Sequence, residues 1–352
     1  MRMRVVAAAS WSTMALLVLL NATPALAQKS LVSVKTDQAP TIDGTVDPSW
    51  EKAPAYKIVL DQTSYNPEGY KGLTKTNVTM KSMYDNEHIY FLVQWNDPTQ
   101  SLERAPWVKQ PDGTWKQLKA LDSTGHDNTY YEDKMAILWN ISAKGFDKKG
   151  CEVACHKARG GKNAGIEDKS PGRKYTDGPG ETIDMWHWKA VRTNPVGQVD
   201  DQYVDDTKDP AKNADWGRKG DAKTGGGYVD NINKDKTGPA WMQKTPSEHK
   251  YWILDENKSE FVDHFKPGDV VPSIVVAPFA GSRGDIAGKA VWKNGVWTLE
   301  MKRKLTTTGE KAKEQDVQFD DLKKAYYFGV SVFDNSQINH MYHEGAHRLT
   351  FK

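Results

Sequence analysis

The most specific chemistry in this chain lies in the run Cys151-Glu152-Val153-Ala154-Cys155-His156, which contains the only two cysteines among 352 residues. Cys-x-x-x-Cys-His is one residue longer than the Cys-x-x-Cys-His that attaches c-type haem. In that chemistry two thiols form thioethers with two vinyl groups, and the adjacent imidazole becomes an axial ligand of iron. The spacing therefore predicts one covalent haem c, with Cys151 and Cys155 as anchors and His156 as the proximal iron ligand. Two other chemistries use the same residue types. A disulfide between Cys151 and Cys155 would close so small a loop that it removes little unfolded-state entropy. A zinc site would call for a second Cys/His cluster at finger spacing, and the sequence has none.

A second axial ligand is expected from His, Met or Lys. His340, Met341, His343 and His347 cluster before the last expected strand, in a chain with only nine histidines. His187 stands between Trp186 and Trp188, and successive side chains of a strand face opposite ways. If the two tryptophans face a core, His187 faces away from it. His343 is expected first as the distal ligand, His187 second, then Met341 or His340. The acidic run Asp200, Asp201, Asp205, Asp206 and Asp209 has carboxylates that could bind calcium. Its spacing is not that of an EF-hand, and a solvated loop is the expectation. No placeable Ser/His/Asp order, nucleotide loop or flavin fingerprint is present, so the chain is expected to carry electrons without being an enzyme in its own right.

These residues must be positioned mainly by strands. Leu31–Lys35 alternates with period two, and residues 77–95 read as a hairpin around Asp85-Asn86-Glu87-His88. Further strands are expected at 134–140, 184–189, 273–277, 289–292, 296–301, 326–333 and 348–351. Lys293-Asn294-Gly295 is a tight-turn signal. Many short strands with Gly, Asn and Pro punctuation argue for an all-β sandwich or barrel with few short helices. Residues 143–183, which carry the cysteines, and 200–250, rich in Asp, Lys and Gly, read as long loops inserted between strands. They account for the low mean hydropathy of −0.71. Loops of that length are usually functional.

The amino terminus reads as an address. Arg2 and Arg4 precede an apolar stretch through Leu20, and Ala25-Leu26-Ala27 has the small-residue cleavage pattern. Cleavage after Ala27 would leave 325 residues, 28–352, as one domain without a further membrane-spanning stretch. Loss of Arg2 and Arg4 brings Lys+Arg from 48 to 46, equal to the 46 Asp+Glu. A neutral mature chain argues against a nucleic-acid binder. Two cysteines exclude a disulfide-stapled miniprotein. An exported, oxidising compartment is expected, with the bacterial periplasm as the reading.

Several segments resemble a known family. Gln38-Ala39-Pro40-Thr41-Ile42-Asp43-Gly44 through Trp50-Glu51-Lys52-Ala53 is similar to the opening of family-9 carbohydrate-binding-module-like domains. That opening also begins the haem-binding gamma subunits of ethylbenzene dehydrogenase and dimethyl sulfide dehydrogenase. Tyr131–Ala136, Asp184–Ala190 with Arg192–Gly197, and Phe328–Asn335 resemble later segments of the haem-binding branch. The resemblance implies a β-sandwich holding one haem between loops. Gamma subunits of that group bind b-type haem through Met and Lys, and this chain departs by carrying Cys151, Cys155 and His156 before the Trp-x-Trp strand. By the same resemblance, His343 falls near the family's Lys ligand. The expected function is a periplasmic mono-haem c-type cytochrome. It would be a free carrier, or the haem subunit of a molybdenum oxidoreductase with molybdenum and iron–sulfur partners. The alternative is a carbohydrate-binding module without a redox role, in which exposed Trp and Tyr would stack on sugars.

Overall fold

The computed structural model describes residues 30–155, 172–245 and 250–352, with the backbone of 162–163 and 166–167. His156 and the amino-terminal address lie outside the described residues.

One continuous path of eleven strands forms the frame. In chain order these are β1 (Leu31–Lys35), β2 (Thr76–Tyr84), β3 (His88–Asn96), β4 (Lys134–Asn140), β5 (Ile183–Lys189), β6 (Asp200–Val204), β7 (Arg218–Gly220), β8 (Ala287–Lys293), β9 (Val296–Lys304), β10 (Tyr326–Phe333) and β11 (His347–Phe351). Their order in space is β7-β6-β5-β4-β10-β11-β1-β2-β3-β9-β8. Nine of these eleven strands form where the sequence predicts strands; β6 and β7 do not. The β2–β3 turn is fixed by Asp85, whose Oδ1 accepts from the N–H groups of Glu87 and His88. At the β8–β9 turn, Asn294 and Gly295 adopt φ of 53° and 78°, the left-handed pair that a two-residue hairpin requires.

The path folds on itself as a sandwich. Trp139 of β4 and Trp186 and Trp188 of β5 point into the core. There Phe91 meets Trp139 and Trp186 with ring centroids 5.6 Å apart, and Trp188 meets Trp297 of β9 at 5.0 Å. Each such pair adds about 0.5–1.5 kcal/mol beyond the area it buries. Helices are short: Phe146–Lys149, here α1, and Ala312–Gln315 are four residues each.

β5 is buried along its whole length, on both faces. One face is the sandwich core. The other is covered by a further layer of chain, and that layer builds the site. The stretch 200–250 departs from the expected polar loop, because it supplies β6 and β7 as well as short strands at Gly225–Asp230 and Trp241–Gln243. Asp200 and Asp201, expected in a solvated loop, are fully buried. Asp200 tolerates this because Lys189 and Arg283 both pair with it.

Candidate functional site

The register of the sheet sets out the floor of a cavity. Across β5, β4 and β10, Met185 pairs with Leu138 and Leu138 with Gly329, while His187 pairs with Ala136 and Ala136 with Ser331. These residues all lie on the face opposite Trp186 and Trp188. The alternation that drives the tryptophans into the core thus turns Met185 and His187 outward.

The cysteine loop closes over this floor. Phe146 of α1 is fully buried and anchors it. A single turn, Cys151–Val153, follows, and the Cys155 N–H donates to the Cys151 carbonyl at 2.8 Å. The two thiols do not form a disulfide with each other, and both side chains are buried. Cys151 sits directly above Gly329: a Cβ there would stand 3.8 Å from Cys151 Sγ. The loop is pinned from behind at Gly150, which has φ +59° and bridges Gly345. A Cβ on Gly150 would fall 1.8 Å from the Gly345 carbonyl oxygen, so only glycine fits. The hydrogen-bonded Cys155 thiol, and then burial, hold the Cys151 thiol well above its ordinary pKa.

Between floor and loop lies a cavity of about 160 Å³. Cys151, Cys155, His187 and His340 all line it. So do five basic side chains, Lys134, Arg173, Lys174, Arg192 and Arg218, against one acidic one, Asp215. Arg192 is held by Glu132, and Arg218 by Asp215 at 2.8 Å. Lys134 donates to the Gln337 carbonyl at 2.8 Å, and burial lowers its pKa well below the lysine range.

His187 has the lone pair of a ligand. Its Nδ1 lies 3.2 Å from Gln202 Oε1, which accepts and so fixes the Nδ1–H tautomer. Nε2 is buried and has no partner among the described residues. Burial, reinforced by Lys189, Lys134, Arg218 and Arg192, pushes the imidazole pKa well down and keeps it neutral. Phe333 stands against both His187 and His340, with ring centroids at 5.8 and 4.7 Å. The Nδ1 of His340 meets the Ile338 carbonyl at 2.7 Å.

The other two expected ligands stand elsewhere. His343 does not line the cavity: its Nε2 accepts from the Val330 N–H at 3.0 Å and serves the backbone of β10. Met341 pairs with Val332 and packs into the sandwich core. Of the expected distal ligands, the fold thus brings His187 and His340 to the cysteines and keeps His343 and Met341 away. The basic lining was not foreseen. Its members come from four separate segments, and no local pattern links them.

The donor set fits a haem. Two buried thiols, an imidazole nitrogen without a proton or partner, an apolar floor and a cationic rim match its vinyl groups, iron, ring and propionates in turn.

Among solved structures, two chains of a family 9 carbohydrate binding module from Caldicellulosiruptor kristjanssonii are similar over most of their length. The glucose complex has 10% identity, covers 91% of this chain and 95% of that one, and gives a TM-score of 0.35. The cellotriose complex has 12% identity, coverage of 92% and 94%, and a TM-score of 0.33. No curated protein matches the chain. The family model described as ethylbenzene dehydrogenase matches residues 47–345, including the cysteine loop and every strand of the cavity floor, and the chain belongs to that family.

Proposed function

We propose that this chain is a mono-haem c-type cytochrome that passes electrons in the periplasm, as the haem-carrying accessory subunit of a molybdenum oxidoreductase. Family membership supports the link to an oxidoreductase complex. The observation that carries the haem assignment is the cavity, where Cys151 and Cys155 face an imidazole with an unpartnered Nε2. When bound, the haem supplies one-electron redox chemistry.

The rest of the work falls to this chain. Cys151 and Cys155 would hold the group covalently, and His156 next to Cys155 would ligate its iron. His187 would supply a further iron ligand, in place of the His343 expected from the carboxy-terminal cluster and the family resemblance. Gln202 keeps its Nε2 deprotonated, as the partner of a ligating histidine does. Arg192 and Arg218, held in place by Glu132 and Asp215, would offer the propionates cationic partners. The sugar-binding alternative would need an exposed aromatic platform. Among the described residues, the exposed large apolar side chains are valines and leucines.

The test is a haem stain on a denaturing gel, with a reduced-minus-oxidised spectrum of the purified protein. Covalent stain is expected in the natural chain and lost when Cys151 and Cys155 are both changed to Ser. A natural chain matured with haem-attachment machinery that takes no stain sinks the proposal.

A further inference from the structure

On the core side of β5 and β6, the face opposite the cavity floor, acidic side chains converge without enough positive charge. Asp184 and Asp201 come from β5 and β6, and Asp316 from the segment after Ala312–Gln315. One carboxylate oxygen from each lies within 4.8 Å of the others. All three side chains are buried, and Asp221, also buried, lies against Asp316. The one cation among them is Arg303, whose Nη1 is 3.4 Å from Asp184 Oδ2 and whose Nη2 is 3.8 Å from Asp316 Oδ2.

The pattern of hydrogen bonds is more telling than the charge. Asp184 Oδ2 accepts from Trp186 Nε1 at 3.0 Å and from the Val317 N–H at 2.9 Å, while its Oδ1 has no partner. Asp316 Oδ2 accepts from Thr307, while its Oδ1 has none. Asp201 is fully buried and neither of its oxygens is met by a donor among the described residues. A buried carboxylate left this way is costly unless something neutralises it. Protein donors orient one oxygen of Asp184 and of Asp316, as outer partners orient metal ligands.

We propose that Asp184, Asp201 and Asp316, with Asp221 alongside, bind a calcium ion. The donors are oxygens alone, which selects a hard cation over zinc. Calcium–oxygen distances of about 2.4 Å allow ligand oxygens up to about 4.8 Å apart, and these three lie within that limit. Arg303 neutralises part of the remaining charge. A surface groove holding Asp221 and Asp316 gives the ion its entry. Without an ion, burial and mutual repulsion push Asp184 up to about 7 and Asp221 up to about 8.

The experiment titrates chelator-dialysed, haem-loaded full-length protein with CaCl2 in a calorimeter and follows its thermal midpoint. Binding is expected with a calcium-dependent rise in the midpoint. Asp201→Asn should weaken this binding at least roughly tenfold, and Asp316→Asn, in a connecting segment, should do the same if the first variant does not fold. Asp97→Asn alters a second acidic cluster, Asp97-Asp133-Asp334, and should leave this binding in place. No calcium binding by the natural chain overturns the proposal. So does undiminished binding by Asp316→Asn, or binding lost only in Asp97→Asn.

Discussion

At the residue scale, the decisive atom is His187 Nε2. On the haem reading, His187→Ala should convert a six-coordinate, low-spin iron into a high-spin one that takes up carbon monoxide, seen in the visible spectrum. His343→Ala should leave that spectrum unchanged. It should cost about 1–3 kcal/mol of stability, measured by denaturant unfolding, because the buried Val330 N–H loses its acceptor. Spacing alone could not separate these two histidines. Both follow an aromatic residue, Trp186 or Tyr342, and the backbone group that claims His343 lies on another strand. A third histidine reports on pH. Burial, and then the nearby His343, lower the pKa of His347 from 6.5 to about 3. Above pH 6.5 it is neutral whether folded or not. Below, the unfolded chain takes a proton that the folded chain refuses, so stability is lost as pH falls from about 6.5 towards 3. Thermal midpoints across that range should drop less steeply in His347→Gln than in the natural protein.

At the element scale, the cysteine loop depends on two close approaches of glycine. Gly150→Ala places a Cβ on the Gly345 carbonyl at a φ that L-residues avoid. It should cost about 2 kcal/mol or more and lower the yield of covalent haem, read by stain intensity per protein. Gly329 is graded. A Cβ there would meet Cys151 at an ordinary 3.5 Å, so Gly329→Ala should still mature. Gly329→Val should lift the loop and reduce attachment. The strands on either side were legible, because period-two alternation is a local property. The expected segments 134–140 and 326–333 are β4 and β10 residue for residue. The region 200–250 was not legible. Its acids suggest solvent, yet Asp200 is compensated by Lys189 and by Arg283, which lies 83 residues away. Charge pairing over that distance leaves no mark on local composition.

At the scale of the whole molecule, the two ends of the chain meet. β1 pairs in parallel with β11, Leu31 with Leu349 and Ser33 with Phe351, and with β2 on its other side. β11 also pairs with β10, so it joins the half that carries the cavity to the half that faces it. Deleting residues 347–352 should therefore prevent cooperative unfolding and expose the core to protease, although no cavity residue is removed. The same pairing sets an order of events during folding: there is an interval in which the cysteine loop has formed but β11 has not yet joined β10 to β1. For that interval the two thiols stand in a half-built shell, open to any catalyst that must reach them. Once the last strand docks they are buried. On the haem reading, the closing strand would thus act as a deadline: cofactor ligation would have to precede the docking of residues 347–351, and a variant that docks this strand sooner would be more stable and less often loaded.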